Sequence, residues 1–178
     1  MEIEGTKIVE AVNLAQTINE PIVILSYFPD AIRQIEKLLE STEKTFITTL
    51  ADMDTSQRFE NMKIFQSGEA DIYLSTIGIA KVGIQLDRAN TLFFIDGTYV
   101  PADMLQAARR IMNPDKSDPI SIYHFLSHGT FDTRIWDARN NKQMSISFWI
   151  DRELPDGEDK KLGNAMMLDA LKEEFADV

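Results

Sequence analysis

The 178-residue sequence predicts an α/β fold, a three-layer sandwich in which a mainly parallel sheet is covered by helices on both faces. Three observations carry this prediction. Five short runs are continuously apolar or rich in β-branched residues, which is typical of strands buried on both sides. Segments with apolar residues at helical spacing separate these runs. Repeated alternation of strand and helix favours a parallel sheet with right-handed crossovers.

The predicted strands are all short, and each is bounded by polar or turn-forming residues. They span residues 23–25, 46–49, 72–74, 92–95 and 120–123. Ligands of open parallel sheets meet the loops that follow the carboxyl ends of the strands. The segments that follow Leu25, Leu74 and Ile95 are therefore the expected functional edge of this sheet.

The first two predicted helices are amphipathic. Within the first twenty residues, apolar side chains recur at helical spacing, at Ile8, Val12, Ala15 and Ile18. Asp30 is a suitable N-cap for the second helix. The residues expected to face the core from that helix are Ile32, Ile35, Leu38 and Leu39. Both helices are thus expected to cover a face of the sheet.

Three further helices are predicted from their start signals. Asp54, followed by Gln57 three residues later, resembles a capping box. The helix that it opens is expected to bury Phe59, Met62 and Phe65. Pro101 suits the first turn of a helix that runs to about Ile111. Thr130 is a suitable cap for the helix after the last strand.

The chain is acidic, with 18 Lys and Arg residues against 29 Asp and Glu residues and a net charge of −11. Proteins that coat nucleic acid by bulk electrostatics need clustered cations, so this charge argues against that class. The excess of acidic over basic residues is unevenly distributed along the chain, because residues 151–178 hold nine acidic and four basic residues. A local basic patch in the rest of the chain therefore remains compatible with the composition.

Composition and motif content exclude several kinds of site. The chain has no Cys, which excludes disulfides, thiolate metal sites and a Cys nucleophile. It contains no phosphate-binding loop, no dinucleotide-binding glycine fingerprint and no zinc-protease motif. Its two His residues, His124 and His128, are expected on a strand and in the following loop. Their spacing therefore predicts no metal site.

Two regions and a location are predicted from the same patterns. Residues 1–150 are expected to form the α/β domain, and residues 151–178 an acidic linker followed by an amphipathic helix. The sequence has no run of about 18 apolar residues and no signal-peptide pattern, so no membrane association or secretion is expected. The expected location is the cytoplasm, or the nucleoid, or the nucleus if the host is eukaryotic.

The motifs that carry chemistry occur in one order along the chain. One strand ends in Ser26, and a later strand ends in Ser75-Thr76. A glycine-containing turn reads Val82-Gly83-Ile84-Gln85-Leu86. A helix then carries Gln106-Ala107-Ala108-Arg109-Arg110, and Gly129-Thr130-Phe131-Asp132 follows the last strand. Arginine is suited to phosphate because its planar fork stays charged and binds two oxygens at once.

The order and spacing of these motifs resemble the second RecA-like lobe of superfamily 2 helicases, most of all the Swi/Snf-type DNA translocases. The resemblance covers roughly residues 5–143, and the longer turn beside Lys81 also resembles some phage repair helicases. It implies a helicase C-terminal, RecA-like domain that hydrolyses ATP together with a first lobe. The chain is not expected to hydrolyse ATP alone, because the phosphate loop and the magnesium-binding acid belong to that first lobe.

The resemblance also implies roles for nine residues. The residues expected at the γ-phosphate are Arg110, the first Arg of the sixth motif, and Arg109. The residues expected at the bound nucleotide are Gly83, Gln85 and Gln106. The residues expected to contact a nucleic-acid strand are Ser26, Ser75, Thr76 and Lys81. The implied cofactors are ATP and Mg²⁺, and the implied partners are the first lobe, in cis or in trans, and DNA rather than RNA.

Two departures from the family pattern leave alternatives open. The second Arg of the sixth motif falls on Asn113, which is neutral, and Arg109 takes the place of a Gly. A degenerate RecA-like module that binds protein or nucleic acid without catalysis is therefore the second interpretation. A free-standing nucleotide-binding α/β domain is the third.

Overall fold

The computed structural model describes residues 6–82, 85–96, 101–112 and 119–127. The strands are β1 (Ile22–Ser26), β2 (Phe46–Thr49), β3 (Ile72–Thr76), β4 (Thr91–Phe94) and β5 (Ser121–His124). The helices are α1 (Thr6–Thr17), α2 (Pro29–Leu39), α3 (Thr55–Ser67), α4 (Ile77–Ala80) and α5 (Pro101–Ala108). All five predicted strands are present, whereas the single-turn helix α4 has no counterpart among the predicted helices.

The five strands form one parallel sheet in the order β2-β3-β1-β4-β5. This arrangement confirms the predicted α/β fold class. β1 lies at the centre, where Ser26 pairs with Thr76 of β3 and Leu25 pairs with Phe94 of β4. The three strands that precede the expected functional segments are therefore contiguous in the sheet, with β1 between β3 and β4.

Each face of the sheet packs against its own set of helices. Val23 and Leu25 of β1 belong to the cluster formed with α3, α4 and α5, whereas Ile22 and Ile24 belong to the cluster formed with α1 and α2. Every residue of β1, β3 and β4 is buried, which explains their continuous apolar runs. Burial also raises the pKa of Tyr73 in β3 to about 12, so its phenol stays neutral in the core.

Local sequence signals explain where α3 begins and ends. The Asp54 carboxylate accepts a hydrogen bond from the Gln57 N–H, and the Gln57 side chain accepts one from the Asp54 N–H. This reciprocal pair confirms the predicted capping box. The helix ends at Gly68, whose φ of 95° is a left-handed conformation that favours glycine.

The start of α2 differs from the prediction. Phe28 occupies the N-cap position, Pro29 takes the first helical position, and Asp30 lies in the first turn. The prediction that Asp30 caps this helix is therefore wrong. The reason is that proline is favoured at the first helical position, which moves the cap one residue further back.

The apolar side chains of α3 are not all buried. Phe65 is fully buried and Met62 packs against the same cluster, as predicted. Phe59, in contrast, is 54% exposed, so the prediction that it is buried is wrong. The Lys63 ammonium lies 4.7 Å from the centroid of the Phe59 ring.

The connections that leave β1 and β4 run in opposite directions. From β1 the chain passes through α2 to β2, and from β4 it passes through α5 to β5 at the other edge of the sheet. Adjacent strands with diverging connections leave a crevice outside their carboxyl ends, which is where ligands of such sheets bind. The crevice of this fold therefore lies at the ends of β1 and β4.

Some predicted features fall outside the described residues. These are the acidic extension at residues 151–178 and the helix expected after Thr130. Within the described ranges, no helix is long and apolar enough to cross a lipid bilayer.

Candidate nucleotide and nucleic-acid site

One buried carboxylate ties the turn after β1 to the end of β4. The Ser26 hydroxyl donates to Asp96 Oδ2 and the Tyr27 N–H donates to Asp96 Oδ1, each at 2.5 Å. The Ser26 oxygen accepts in turn from the Phe28 N–H at 3.0 Å. Ser26 is fully buried, and a contact with nucleic acid would require these bonds to open. Its role at nucleic acid stays a prediction.

The two hydroxyl residues at the end of β3 are buried as well. The Ser75 hydroxyl donates to the carbonyl of Thr49 in β2 at 2.7 Å. Thr76 is 8% exposed and is the N-cap residue of α4, without a side-chain capping bond. The structure thus brings Ser26, Ser75 and Thr76 to one edge of the sheet. Their contact with phosphate stays a prediction.

The turn that follows α4 is fastened to α5 and to the residues after it. Lys81 Nζ pairs with the Asp103 carboxylate at 2.8 Å. Arg110 Nη2 donates to the Lys81 carbonyl at 2.5 Å, and the Arg110 carbonyl accepts from the Leu86 N–H at 2.9 Å. Arg110 therefore holds both ends of this turn. Gly83, which lies between them, is outside the described residues.

The two arginines that follow α5 differ in exposure. Arg109 is exposed, whereas Arg110 is half-buried, and the Arg110 Nε has no hydrogen-bond partner among the described residues. Gln106 is exposed three residues before Arg109, so these two share one side of the helical segment. Gln106 and Arg109 are thus more exposed to solvent than Arg110 is.

Gln85 is held in place by the end of α3. Its carbonyl accepts from Gln66 Nε2 at 3.1 Å, and the same nitrogen donates to Asp87 Oδ1 at 2.6 Å. Gln66 Oε1 accepts from the Arg88 N–H at 3.2 Å. One amide side chain thus contacts three of the four residues of the segment 85–88, while Gln85 itself remains exposed.

Arg88 completes this attachment. Its Nη1 donates to the carbonyls of Phe65 and Ala70 at 2.9 and 2.6 Å, and its guanidinium lies 5.3 Å from the Phe65 ring centroid. The Phe65 carbonyl also accepts from the Gly68 N–H at 3.2 Å, so Arg88 adds a charged donor there and joins the last turn of α3 to the Ala70 carbonyl, which lies just before β3. Sequence analysis missed Gln66, Arg88 and Asp96 because their partners lie 18 to 70 residues away along the chain.

The described ranges offer no metal centre, since no group of three or more His, Cys, Asp or Glu side chains in them could hold an ion. His124 lies on β5, as predicted, and its ring stacks on that of Phe94 with centroids 5.2 Å apart. His128 is outside the described residues. Residues placed by the structure thus offer hydrogen-bond donors and cations rather than metal ligands.

Comparisons with known proteins agree with this architecture. A RAD54-like DNA repair and recombination protein from Gallus gallus is 24% identical over 159 residues, which are 88% of this chain and 22% of that protein. Its counterpart from Drosophila pseudoobscura pseudoobscura is 24% identical over 135 residues, 75% of this chain and 17% of that protein. The chain therefore spans about a fifth of the length of these relatives. The crystal structure of the C-terminal part of the Fun30 ATPase domain shares the fold, with a TM-score of 0.72 at 19% identity over 96% of this chain and 55% of that one.

The model of one family, described as the helicase conserved C-terminal domain, matches residues 6–114, more than half of the chain. All nine residues with predicted roles fall within this segment. The match and the relatives confirm the resemblance to the C-terminal lobe of Swi/Snf-type superfamily 2 helicases. The chain belongs to the helicase conserved C-terminal domain family.

Proposed function

We propose that this chain is the second lobe of an ATP-dependent helicase or DNA translocase. It supplies Arg110 and Arg109 to ATP that is bound on a first lobe, and its strand-end edge contacts a nucleic-acid strand. The observation that carries the proposal is the family match over residues 6–114, which contains every residue of the two predicted sites. The names of the RAD54-like relatives, which are DNA repair proteins, favour DNA as the track.

The chemistry of ATP hydrolysis is compatible with a site to which two lobes contribute different groups. Phosphoryl transfer depends on positioning and on stabilising the charge that develops on the transferred group. Arg109 is exposed and Arg110 follows it directly, so this lobe offers two guanidinium groups at one end of α5. The proposal assigns ATP and Mg²⁺ mainly to the first lobe. What this lobe contributes is cationic charge and orientation.

The second candidate, a non-catalytic module for protein or nucleic-acid interaction, is favoured by one observation. The cationic groups nearest the turn after α4 already have internal partners, since Lys81 pairs with Asp103 and Arg110 donates to the Lys81 carbonyl. The neutral Asn113 in the sixth motif agrees with this alternative. Catalysis would require Arg110 to use its remaining N–H groups or to leave the Lys81 carbonyl.

The association of this chain with a matching first lobe tests the proposal. A nonhydrolysable ATP analogue with Mg²⁺ is expected to tighten the association about tenfold or more, because charge-assisted bonds to the phosphates form only across the closed pair. The variant Arg109→Ala/Arg110→Ala is expected to lose this gain. Lys63→Ala is the matched control, because it removes an exposed cation from α3, a helix that contains none of the residues with predicted roles.

Biolayer interferometry with and without the analogue gives the two affinities. An affinity that does not change with nucleotide would contradict the proposal and favour the non-catalytic module. Calorimetric titration of the isolated chain with ATP addresses the third interpretation. Measurable binding heat there would favour a free-standing nucleotide-binding domain.

A further inference from the structure

The turn after β1 presents two aromatic side chains to solvent. Tyr27 is 55% exposed and Phe28 is 58% exposed. Their ring centroids lie 5.3 Å apart at an interplanar angle of 83°, an edge-to-face pair. In this geometry the edge of one ring meets the face of the other, so the pair keeps aromatic surface available to a further ring.

This pair is held in place by its backbone. The Tyr27 N–H is bound by Asp96, and the Phe28 N–H is bound by the Ser26 hydroxyl oxygen. Phe28 has φ −102° and ψ 123°, the extended conformation that a following proline favours, and Pro29 follows it. A contact surface fixed in this way loses little further conformational freedom when it binds a ligand.

Asp96 is the residue on which this arrangement depends. Asp96 is 5% exposed, and the two oxygens of its carboxylate accept from two different groups of the turn, the Ser26 hydroxyl and the Tyr27 N–H. Truncation of the carboxylate would leave both donors without these partners. The turn would then be free to move relative to the end of β4, and the aromatic pair would move with it.

The position and the charge of this surface indicate what it binds. Tyr27 and Phe28 lie at the crevice where the connections of β1 and β4 diverge, the place where such sheets bind ligands. The hydroxyls of Ser26 and Ser75 at the same edge are bound inside the protein. The chain also carries a net charge of −11. Stacking contacts do not depend on net charge, so the exposed rings suit a strand on an acidic protein better than phosphate contacts would.

We propose that Asp96 is a positioning residue that holds Tyr27 and Phe28 as a stacking platform for the bases of a single nucleic-acid strand. Every base has a π-face, so stacking on aromatic side chains needs no cationic surface and is tolerant of sequence. The inference rests on the proposed function and deepens it, because it replaces the Ser26 hydroxyl with the neighbouring aromatic rings as the groups that touch nucleic acid.

The experiment measures the affinity of the full 178-residue chain for a fluorescein-labelled oligodeoxythymidylate, by fluorescence anisotropy at several salt concentrations. Tyr27→Ala/Phe28→Ala is expected to weaken binding about tenfold, within the range for loss of one or two stacked bases. The dependence of affinity on salt is expected to stay the same, because no phosphate contact is removed. Phe59→Ala is the matched control: it removes an equally exposed ring from α3 and is expected to bind like the wild type.

Asp96 is tested by a mutant cycle. Asp96→Ala is expected to weaken binding to a similar extent as loss of the two rings, and Asp96→Asn, which retains an acceptor for the Tyr27 N–H, is expected to restore most of the affinity. If Asp96 acts through the rings, Asp96→Ala combined with Tyr27→Ala/Phe28→Ala binds no more weakly than the ring variant alone. Faster hydrogen exchange of the Tyr27 amide in Asp96→Ala, measured by NMR, is the accompanying structural result.

Three results would overturn the inference. Unchanged oligonucleotide affinity in Tyr27→Ala/Phe28→Ala would show that the two rings do not stack on the bases. Additive losses of affinity when Asp96→Ala is combined with this variant would show that Asp96 does not act through the rings. If Tyr27→Ala/Phe28→Ala bound the oligonucleotide normally but associated more weakly with a first lobe, the rings would contact protein instead of nucleic acid. A wild-type chain that binds no oligonucleotide would contradict the proposed function itself, which distinguishes that failure from the other three.

Discussion

Arg110→Ala is expected to lower the ATP turnover of this chain paired with a first lobe by about a hundredfold or more. Under the proposed function, the guanidinium stabilises negative charge that develops on the transferred phosphoryl group, and a methyl group cannot replace it. The change also removes the bond to the Lys81 carbonyl, so the turn after α4 loses one of its two attachments to Arg110. Single-turnover measurement of phosphate release gives the rate of the chemical step.

Two conservative variants test the contribution of the Arg110 charge. Arg110→Gln is neutral, and its amide ends two bonds short of the Nη2 that reaches the Lys81 carbonyl, so it is expected to turn over about as slowly as Arg110→Ala. Arg110→Lys retains charge but loses the planar fork, so an intermediate loss is expected. Equal turnover in Arg110→Ala and the wild type would show that the sixth-motif arginine has no catalytic role.

Phe65→Ala is expected to lower the free energy of unfolding by about 3–5 kcal/mol. Phe65 is fully buried, and its ring centroid lies 5.5 Å from that of Tyr73 in β3. The Arg88 guanidinium lies over the same ring while it binds the Phe65 carbonyl. The substitution therefore leaves a cavity in the core and loosens the attachment of the segment 85–88. Urea unfolding followed by circular dichroism measures the loss.

Phe59→Ala is the control for this prediction, because it removes the same side chain from the same helix at an exposed position. Its expected cost is about 1 kcal/mol or less, since it removes an exposed contact with Lys63 and little buried area. If the two variants were equally destabilised, the placement of Phe65 in the core and of Phe59 at the surface would be wrong.

The fold was predictable because its signals are local. The strands are buried on both faces and read as continuous apolar runs, and the start of α3 is marked by Asp54 and Gln57 within one turn. The exposure of Phe59 was not predicted, and geometry explains why. Residues six apart on an α-helix point about 120° away from each other around its axis, so Phe59 and Phe65 do not share a face.

The location of the site was predictable, but the orientation of its side chains was not. The ends of β3, β1 and β4 follow from the apolar runs and from the rule for parallel sheets. Whether a hydroxyl or a cation faces a ligand depends on partners that are distant in the chain. Ser26 meets Asp96 across 70 residues, Ser75 meets Thr49 across 26, and Lys81 meets Asp103 across 22. Spacing in one sequence contains no signal for such pairs.

The central claim is that this chain completes an ATPase site on a first lobe. Its most direct test is ATP hydrolysis by a matching first lobe, measured with and without this chain and with and without DNA. The account predicts no turnover by either lobe alone, turnover by the pair, and faster turnover when DNA is added. A pair that hydrolyses ATP no faster than the first lobe alone, in the presence of DNA, would contradict it.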